Sequence, residues 1–214
     1  MGSWNLFPEG DCMKLIIASN NEHKIREIRE IIGCFFPTIC SLKEAGIRAD
    51  ILEDGNTFEE NAVKKAEGIL AIAEGFDAAL ADDSGLSVDA LHGAPGIFSA
   101  RYAGEQHCDA DNNAKLMLDM QGVPPERRTC RFVSSVALAR KGLKTITSTG
   151  MVEGILLDAP AGSNGFGYDP YFYYPPFECS FAQMLPEQKN SVSHRHNSLM
   201  ALRAILEKER KDRH

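Results

Sequence analysis

The sequence of 214 residues predicts an α/β protein built around a mixed central β-sheet with flanking helices. Short apolar segments rich in β-branched residues, which are typical of strands, alternate with longer segments of helical periodicity. Such alternation favours parallel pairing of the strands. Later in the chain two predicted strands are joined by a tight turn, which favours an antiparallel pair. A sheet with both kinds of pairing is therefore expected.

The chain is predicted to open as strand, polar turn and helix. The strand covers 14–18, and isoleucines recur at helical spacing over 25–32 until Gly33 ends the pattern. A second helix is predicted to begin after Thr57, because Thr57 and Glu60 occupy the N-cap and N3 positions of a capping box. This second helix is expected to end near residue 75.

The rest of the chain continues the mixture of elements. A small apolar strand is expected at 78–81, running directly into a turn of acidic residues, and a helix at 109–121. Two strands are expected at 130–140 and 143–152, around a hairpin turn. A glycine-rich loop at 158–169 and a closing helix at 197–208 complete the predicted order. No linker or internal repeat divides the sequence.

The composition is that of a globular protein with a net negative charge. Apolar residues make up 43% of the chain, charged residues 25%, and the net charge is −7. No nucleic-acid partner is expected, since no basic stripe is present, and no segment reaches the roughly 18–20 apolar residues of a membrane span. The six cysteines form no C-x-x-C pair, which favours reduced thiols in a cytoplasmic protein. Residues 1–12 lack the apolar core of a signal peptide and are interpreted as an N-terminal extension before a single domain at 13–214.

A candidate phosphate site lies in the polar turn after the first predicted strand. Ligands of open α/β sheets bind beyond the carboxyl ends of strands, and the N-terminus of a helix presents free N–H groups to anions. The alternative is ordinary helix capping next to a solvated lysine. The residues concerned are Ser19, Asn20, Asn21, Glu22, His23 and Lys24.

Two adjacent carboxylates, Asp82 and Asp83, follow the predicted strand 78–81 and precede Ser84. Like charges this close repel each other, and Mg²⁺ would offset the repulsion because it prefers carboxylate and phosphate oxygens. One carboxylate could instead take a proton from an attacking water. An acidic turn without a ligand is the alternative. Glu53, before the second helix, could supply a further metal carboxylate or belong to a solvated turn.

The glycine-rich loop carries aromatic residues that suit a nucleotide base. Glycine lets the backbone approach a ligand closely, and Phe166 and Tyr168 could stack on a base. Asp169 could accept a hydrogen bond from a base N–H group. The alternative is a surface loop whose aromatic side chains fold into the core.

Three potential cations, Lys189, His194 and Arg195, gather just before the closing helix. Positive charge is disfavoured at a helix N-terminus by the helix dipole. A local rule broken in this way indicates a functional position, and the arginine fork suits phosphate or a carbonyl oxygen.

Together these segments make the chain similar to the inosine triphosphate pyrophosphatase family, also called dITP/XTP pyrophosphatases. The resemblance covers about 13–206 and rests on S-N-N-x-x-K, E-D-G-x-T-F-x-E-N-A-x-x-K-A, A-D-D-S-G-L-x-V-D-A-L-x-G-A-P-G-I-x-S-A-R-Y, G-F-G-Y-D-P and S-H-R in the same order. It implies an α/β fold with two lobes around a nucleotide cleft, usually in a homodimer. It also implies Mg²⁺-dependent hydrolysis of the triphosphates of inosine, deoxyinosine and xanthosine to monophosphate and pyrophosphate. The chain departs from the family after S-H-R, where His196, Asn197 and Ser198 replace the usual Gly-x-Ala.

The resemblance further implies roles for individual residues. The turn 19–24 and Lys65 would hold the phosphates. Glu53 and Asp83 would hold Mg²⁺ with Asp82 beside them, and Asp83 matches the proton acceptor. The remaining substrate contacts would come from Ser84, Arg101, Phe166, Gly167, Tyr168, Asp169, Lys189, His194 and Arg195.

Other functions compete with this interpretation. A related pyrophosphatase for other modified nucleotides, such as a member of the septum-formation inhibitor family, would share the triphosphate chemistry but lacks the G-F-G-Y-D-P and S-H-R pairing. A non-catalytic nucleotide-binding regulator would bind inosine triphosphate without cleaving it, and the intact Asp82–Asp83 pair argues against it. An RNA-binding module is disfavoured by the net charge of −7.

Overall fold

The structure, a computed structural model, describes residues 13–49, 51–106 and 108–212, apart from the side chain of His23. The predicted N-terminal extension at 1–12 lies outside the described residues. Within the described ranges, no helix combines the length and the apolar character needed to cross a bilayer.

The described strands form one seven-stranded sheet in the order β2-β1-β3-β4-β5-β6-β7. β1 pairs in parallel with β2 and β3, whereas β6 pairs antiparallel with β5 and β7, so the predicted mixed sheet is confirmed. The strands are β1 Lys14–Ile17, β2 Thr38–Ser41, β3 Ala78–Val88, β4 Thr129–Arg140, β5 Ile146–Leu156, β6 Phe172–Tyr174 and β7 Cys179–Ser180. The α-helices are α1 Glu22–Ile32, α2 Phe58–Ile72, α3 Asp109–Asp119, α4 Pro186–Val192 and α5 His194–Lys211.

Tertiary contacts divide the chain into two compact units. The first unit contains the residues up to Asp83, then Ser135–Gly150 and the residues from His196 onward. The second unit contains Ser84–Ser134 and Met151–Arg195. One unit boundary, after Asp83, therefore falls inside a predicted site segment, and another, after Arg195, falls at the end of one.

The first unit buries both faces of its part of the sheet. Successive side chains of a strand point to opposite faces, and β1 shows this directly. Leu15 and Ile17 share a buried cluster with Ile28 of α1, whereas Ile16 belongs to a second cluster with Ile69 of α2. The helices α1 and α2 consequently lie on opposite faces of the sheet.

The second unit has its own core, centred on aromatic side chains. The rings of Phe132 and Phe172 lie 4.6 Å apart, and those of Phe172 and Phe181 also lie 4.6 Å apart. Both Phe172 and Phe181 are fully buried. Tilted ring pairs at this spacing add to the stabilisation from burial alone.

The prediction that β3 ends at residue 81 is wrong, because the strand continues through the acidic residues to Val88. Leu86 and Val88 provide further fully buried positions at alternating spacing. Leu86 N–H also donates to the Ser99 hydroxyl at 2.9 Å. Acidic residues can remain in a strand when neighbouring elements supply partners for their carboxylates, as Lys24 does for Asp82 and Asn61 does for Asp83.

The other predicted elements are present with shifted ends. β4 and β5 are neighbours joined by the short connection 141–145, as the hairpin prediction requires. The closing helix α5 begins at His194 rather than at residue 197. The short elements β2, β6, β7 and α4 were not predicted from the sequence.

Candidate active site

The turn after β1 makes the capping contacts that its residue types allow. Asn21 N–H donates to Ser19 Oγ at 3.1 Å, and Lys24 N–H donates to Asn21 Oδ1 at 3.2 Å. Asn20, Asn21 and Glu22 are exposed at the start of α1. The side chain of His23 lies outside the described part of the chain. The turn thus combines capping with an accessible helix N-terminus, which can receive an anion.

Asp82 points to the face of the sheet that α1 covers. It follows Leu80 by two residues in β3, and Leu80 belongs to the buried cluster of α1. Lys24 Nζ lies 2.6 Å from Asp82 Oδ2, and the Asp82 side chain is 2% exposed. Lys24, from the predicted phosphate turn, therefore compensates the negative charge of Asp82.

Asp83 points to the opposite face, which α2 covers. Ala81, two residues earlier, shares the buried cluster of α2. Asn61 Nδ2 of α2 donates to Asp83 Oδ2 at 3.1 Å. On the same helix, Lys65 forms an ion pair with Glu53. We name Glu53, Asn61, Lys65 and Asp83 the α2 cluster.

The pKa of Asp83 is raised from 3.8 to about 6. Burial is the largest cause, and the negative charges of Glu53 and Asp82 raise the pKa further. The hydrogen bond from Asn61 and the charge of Lys65 act in the opposite direction. A carboxyl group that titrates close to neutral pH suits a proton acceptor, and its charged form would be stabilised by a cation.

The α2 cluster suits a hard divalent cation. Its two carboxylates, Glu53 and Asp83, are close enough for their charges to interact. Nowhere among the described residues do three or more His, Cys, Asp or Glu side chains gather in a way that could hold a metal ion. Mg²⁺ is usually bound by one or two carboxylates that are completed by substrate phosphates and water. The donor set therefore fits Mg²⁺ bound together with a phosphorylated substrate.

The predicted base loop is held by α3. Gly167 N–H donates to Asp109 Oδ2 at 2.8 Å, and Asn113 Nδ2 donates to the Gly167 carbonyl at 2.9 Å. Gly167 has φ of 60°, a left-handed conformation that favours glycine. Asp109 and Asn113 were missed by the sequence reasoning, although their spacing of four residues on a predicted helix places them on one face.

The two aromatic residues of the loop have different environments. Phe166 is 44% exposed, whereas Tyr168 is 6% exposed and belongs to the core of the second unit. The Tyr168 hydroxyl donates to the Ser99 carbonyl at 2.7 Å. The Tyr168 ring is therefore folded into the core, as in the alternative interpretation of the loop. Of the two aromatic rings, Phe166 is the one exposed for stacking on a base.

Asp169 is buried and holds the loop together instead of facing outward. Its Oδ2 accepts from Phe166 N–H at 2.8 Å and from Lys189 Nζ at 2.5 Å. Lys189 Nζ also lies 4.7 Å from the centre of the Phe166 ring. The ammonium group and the exposed ring are therefore brought together by Asp169.

His194 and Arg195 begin α5 and are both buried. The His194 ring stacks on Phe132, with ring centres 4.9 Å apart and planes inclined by 17°. Arg195 Nη2 donates to Ser84 Oγ at 3.3 Å. Arg101 ends a short 3-10 turn, with its guanidinium 5.3 Å from the centre of the Phe98 ring. The second unit thus joins Arg195 to Ser84 and Lys189 to Asp169 and Phe166.

Comparisons with known proteins show similarity along nearly the whole chain. Residues 15–205 match the model of the Ham1 family. A Clostridium perfringens protein named dITP/XTP pyrophosphatase is 48% identical over 198 residues, covering 90% of this chain and 97% of that protein. The solved structure of the Staphylococcus aureus Ham1 protein has a TM-score of 0.83 at 40% identity, covering 92% of this chain and 99% of that one. The structure of a Ham1 protein from Coxiella burnetii has a TM-score of 0.82 at 36% identity, covering 92% of this chain and 99% of that one.

Proposed function

The chain belongs to the Ham1 family, and we propose that it hydrolyses the triphosphates of inosine, deoxyinosine and xanthosine to monophosphate and pyrophosphate. One water is consumed, one P–O bond of the α–β phosphoanhydride breaks and one P–O bond to the water oxygen forms. The observation that carries the proposal is the α2 cluster, in which a partly buried carboxyl group of raised pKa lies close to a second carboxylate and a lysine.

The phosphate chemistry is assigned to residues of the first unit. Ser19, Asn20 and Asn21 bind phosphate oxygens through the turn and the start of α1, with Lys24 and Lys65 as positive charges. Glu53 and Asp83 hold Mg²⁺, which when bound offsets the negative charge of the phosphates. Asp83 accepts the proton of the attacking water. Asp82, paired with Lys24, keeps that lysine in place.

The base preference is assigned to residues of the second unit. Inosine and xanthosine carry a 6-oxo acceptor where adenosine carries an amino donor. Arg195 and His194 donate to the 6-oxo group, while Phe166 and Lys189 bind the face of the base. An adenine would leave a buried donor unpaired, which costs roughly 1–3 kcal/mol, or about 5- to 150-fold in selectivity.

The proposal extends to domain organisation, assembly and location. Residues 13–214 act as one catalytic domain, the protein is a homodimer and it works in the cytoplasm. The free thiols of the five described cysteines, Cys34, Cys40, Cys108, Cys130 and Cys179, suit a reducing compartment. Light scattering coupled to size-exclusion chromatography tests the dimer, and a single peak at 23.5 kDa would contradict it.

The function is tested by incubating the purified protein with inosine triphosphate or adenosine triphosphate, each with and without Mg²⁺. The expected result is pyrophosphate from inosine triphosphate, only with Mg²⁺, and far less product from adenosine triphosphate. Orthophosphate in place of pyrophosphate would overturn the position of cleavage. Binding of inosine triphosphate without any product would favour the non-catalytic regulator.

The contrasting environments of the loop aromatics give a first prediction. Tyr168→Phe removes only the hydroxyl that donates to the Ser99 carbonyl. We expect the free energy of unfolding to fall by about 1 kcal/mol and kcat/KM for inosine triphosphate to change less than twofold. Phe166→Ala, at an exposed ring, should instead raise KM several-fold at nearly unchanged stability. Urea denaturation measures the stability of both variants, and initial rates measure their turnover. A Tyr168→Phe variant with normal stability but poor turnover would show that the Tyr168 hydroxyl contributes to substrate binding or catalysis.

A further inference from the structure

Asn61 is a fully buried polar residue on α2 whose side chain contacts two other segments of the first unit. Its Oδ1 accepts from Gly55 N–H at 2.7 Å. Its Nδ2 donates to Asp83 Oδ2 at 3.1 Å. A single amide thereby joins β3 to the loop that also carries Glu53, and both of its polar groups have partners.

The loop is shaped to receive this amide. A Cβ atom on Gly55 would lie 2.6 Å from Asn61 Oδ1 and 2.8 Å from Glu60 Cβ, closer than real contacts allow. Only glycine therefore permits the Gly55–Asn61 hydrogen bond in this arrangement. Because Gly55 follows Glu53 by only two positions, this hydrogen bond holds the segment that carries the Glu53 carboxylate.

The next turn of α2 holds the other carboxylate. Lys65 lies four residues after Asn61, so the two side chains lie on the same face of the helix. Lys65 forms an ion pair with Glu53, and Asn61 donates to Asp83. A cation that binds both carboxylates competes with the charge of Lys65, whereas the neutral amide of Asn61 can keep both of its hydrogen bonds.

We infer that Asn61 is a positioning residue for the divalent cation, which it serves by fixing the Asp83 carboxylate relative to the loop that carries Glu53. The inference rests on the proposed function, which makes these two carboxylates the metal ligands. Mg²⁺ demands near-ideal geometry. A hydrogen bond to one oxygen of Asp83 restricts rotation of the carboxylate and leaves the other oxygen for the ion. Loss of such supporting contacts typically weakens metal binding by 10–100-fold.

The test compares Asn61→Leu and Asn61→Ala with a matched control, Asn112→Leu. Asn112 is also buried, and its amide also bridges two groups: it accepts from Ala103 N–H at 2.7 Å and donates to the Ala100 carbonyl at 3.1 Å. None of these partners is a carboxylate. Both substitutions to leucine remove a buried amide of the same size, so they should lower stability alike. Only the change at residue 61 should alter metal binding.

Binding of Mn²⁺ alone is followed by the electron paramagnetic resonance signal of the free ion, with circular dichroism to show that each variant is folded. The expected result is a Kd for Mn²⁺ raised about 10- to 100-fold in the Asn61 variants and changed less than twofold in Asn112→Leu. The Mg²⁺ concentration for half-maximal pyrophosphate release should rise in parallel, while KM for inosine triphosphate at saturating Mg²⁺ changes less.

Two results would overturn the inference. In one, folded Asn61 variants bind Mn²⁺ and respond to Mg²⁺ as the unmodified protein does. In the other, Asn112→Leu weakens metal binding equally, which would make the effect one of stability. If the unmodified protein neither binds Mn²⁺ nor releases pyrophosphate, the proposed function itself fails. If the protein is active but binds Mn²⁺ only in the presence of nucleotide, the Mg²⁺ concentration for half-maximal pyrophosphate release is the readout that tests the inference.

Discussion

Asp83→Asn is expected to lower kcat for pyrophosphate release from inosine triphosphate by about 10³-fold or more, which corresponds to roughly 4 kcal/mol of transition-state stabilisation. The substitution preserves the shape of the side chain and can keep a contact with Asn61. It removes the negative charge that would bind Mg²⁺ and the group that would accept the proton of water. Initial rates at saturating Mg²⁺ measure the effect.

Asp54→Asn is the matched control for this experiment. Asp54 directly follows Glu53, but its carboxylate is largely exposed and pairs with Lys64 at 2.7 Å. We expect its removal to change kcat less than twofold, since an exposed ion pair contributes little. Full turnover by a folded Asp83→Asn variant would show that the assigned role is wrong.

Asp83→Asn should also stabilise the protein in the absence of divalent cations. Because the pKa of Asp83 is raised from 3.8 to about 6, the native state retains this proton to higher pH than the unfolded chain. The free energy of unfolding should therefore fall as pH rises from about 4 to about 6, and stay reduced above that range. The reduction is on the order of 2–3 kcal/mol, and Asp83→Asn should abolish it.

Urea denaturation at several pH values in EDTA measures this difference. Above pH 6 the variant should be more stable than the unmodified protein, and near pH 4 the two should be similar. Equal stabilities at every pH would mean that the Asp83 carboxyl is not destabilised by burial. Adding Mg²⁺ should narrow the gap, because a bound cation stabilises the charged carboxylate.

Arg195→Lys is expected to reduce the preference for inosine triphosphate over adenosine triphosphate, measured as the ratio of kcat/KM values, by about 10- to 100-fold. Lysine keeps the charge but lacks the planar fork of arginine, so it cannot contact Ser84 and a base carbonyl in the same geometry. The loss should fall on inosine triphosphate, because adenosine has no 6-oxo group for the arginine to bind.

Arg203→Lys on the same helix α5 provides the control. Arg203 is partly exposed and pairs with Glu207 at 2.9 Å. Its conservative replacement should leave the nucleotide preference unchanged. An unchanged ratio in Arg195→Lys as well would mean that the base is recognised by other residues, with Lys189 the next to test.

Local patterns in the sequence predicted the elements whose stability is local. The helix α2 illustrates this, because its N-cap is where the capping box places it and Glu60 N–H donates to Thr57 Oγ1 at 3.1 Å. The Glu60 carboxylate, however, accepts from Asn56 N–H rather than from Thr57 N–H. The β6 and β7 strands were missed because they contain three and two residues, too few for a periodic pattern, and exist through pairing with each other and with β5.

The fold class and the family were predictable from the sequence alone, and the motifs also supply the residues that we propose for the site. Motif residues keep their order and spacing in the chain, so they can be recognised without coordinates. The contacts of each side chain, in contrast, follow from the folded structure. Asp82 and Asp83 are adjacent in sequence, but β3 continues through them and directs one toward Lys24 and the other toward Asn61. Lys24 and Asn61 lie on helices that are distant from β3 in sequence. The alternation of side chains between the two faces applies only to residues within a strand. Local patterns ended this strand at residue 81, so they gave no direction for Asp82 and Asp83.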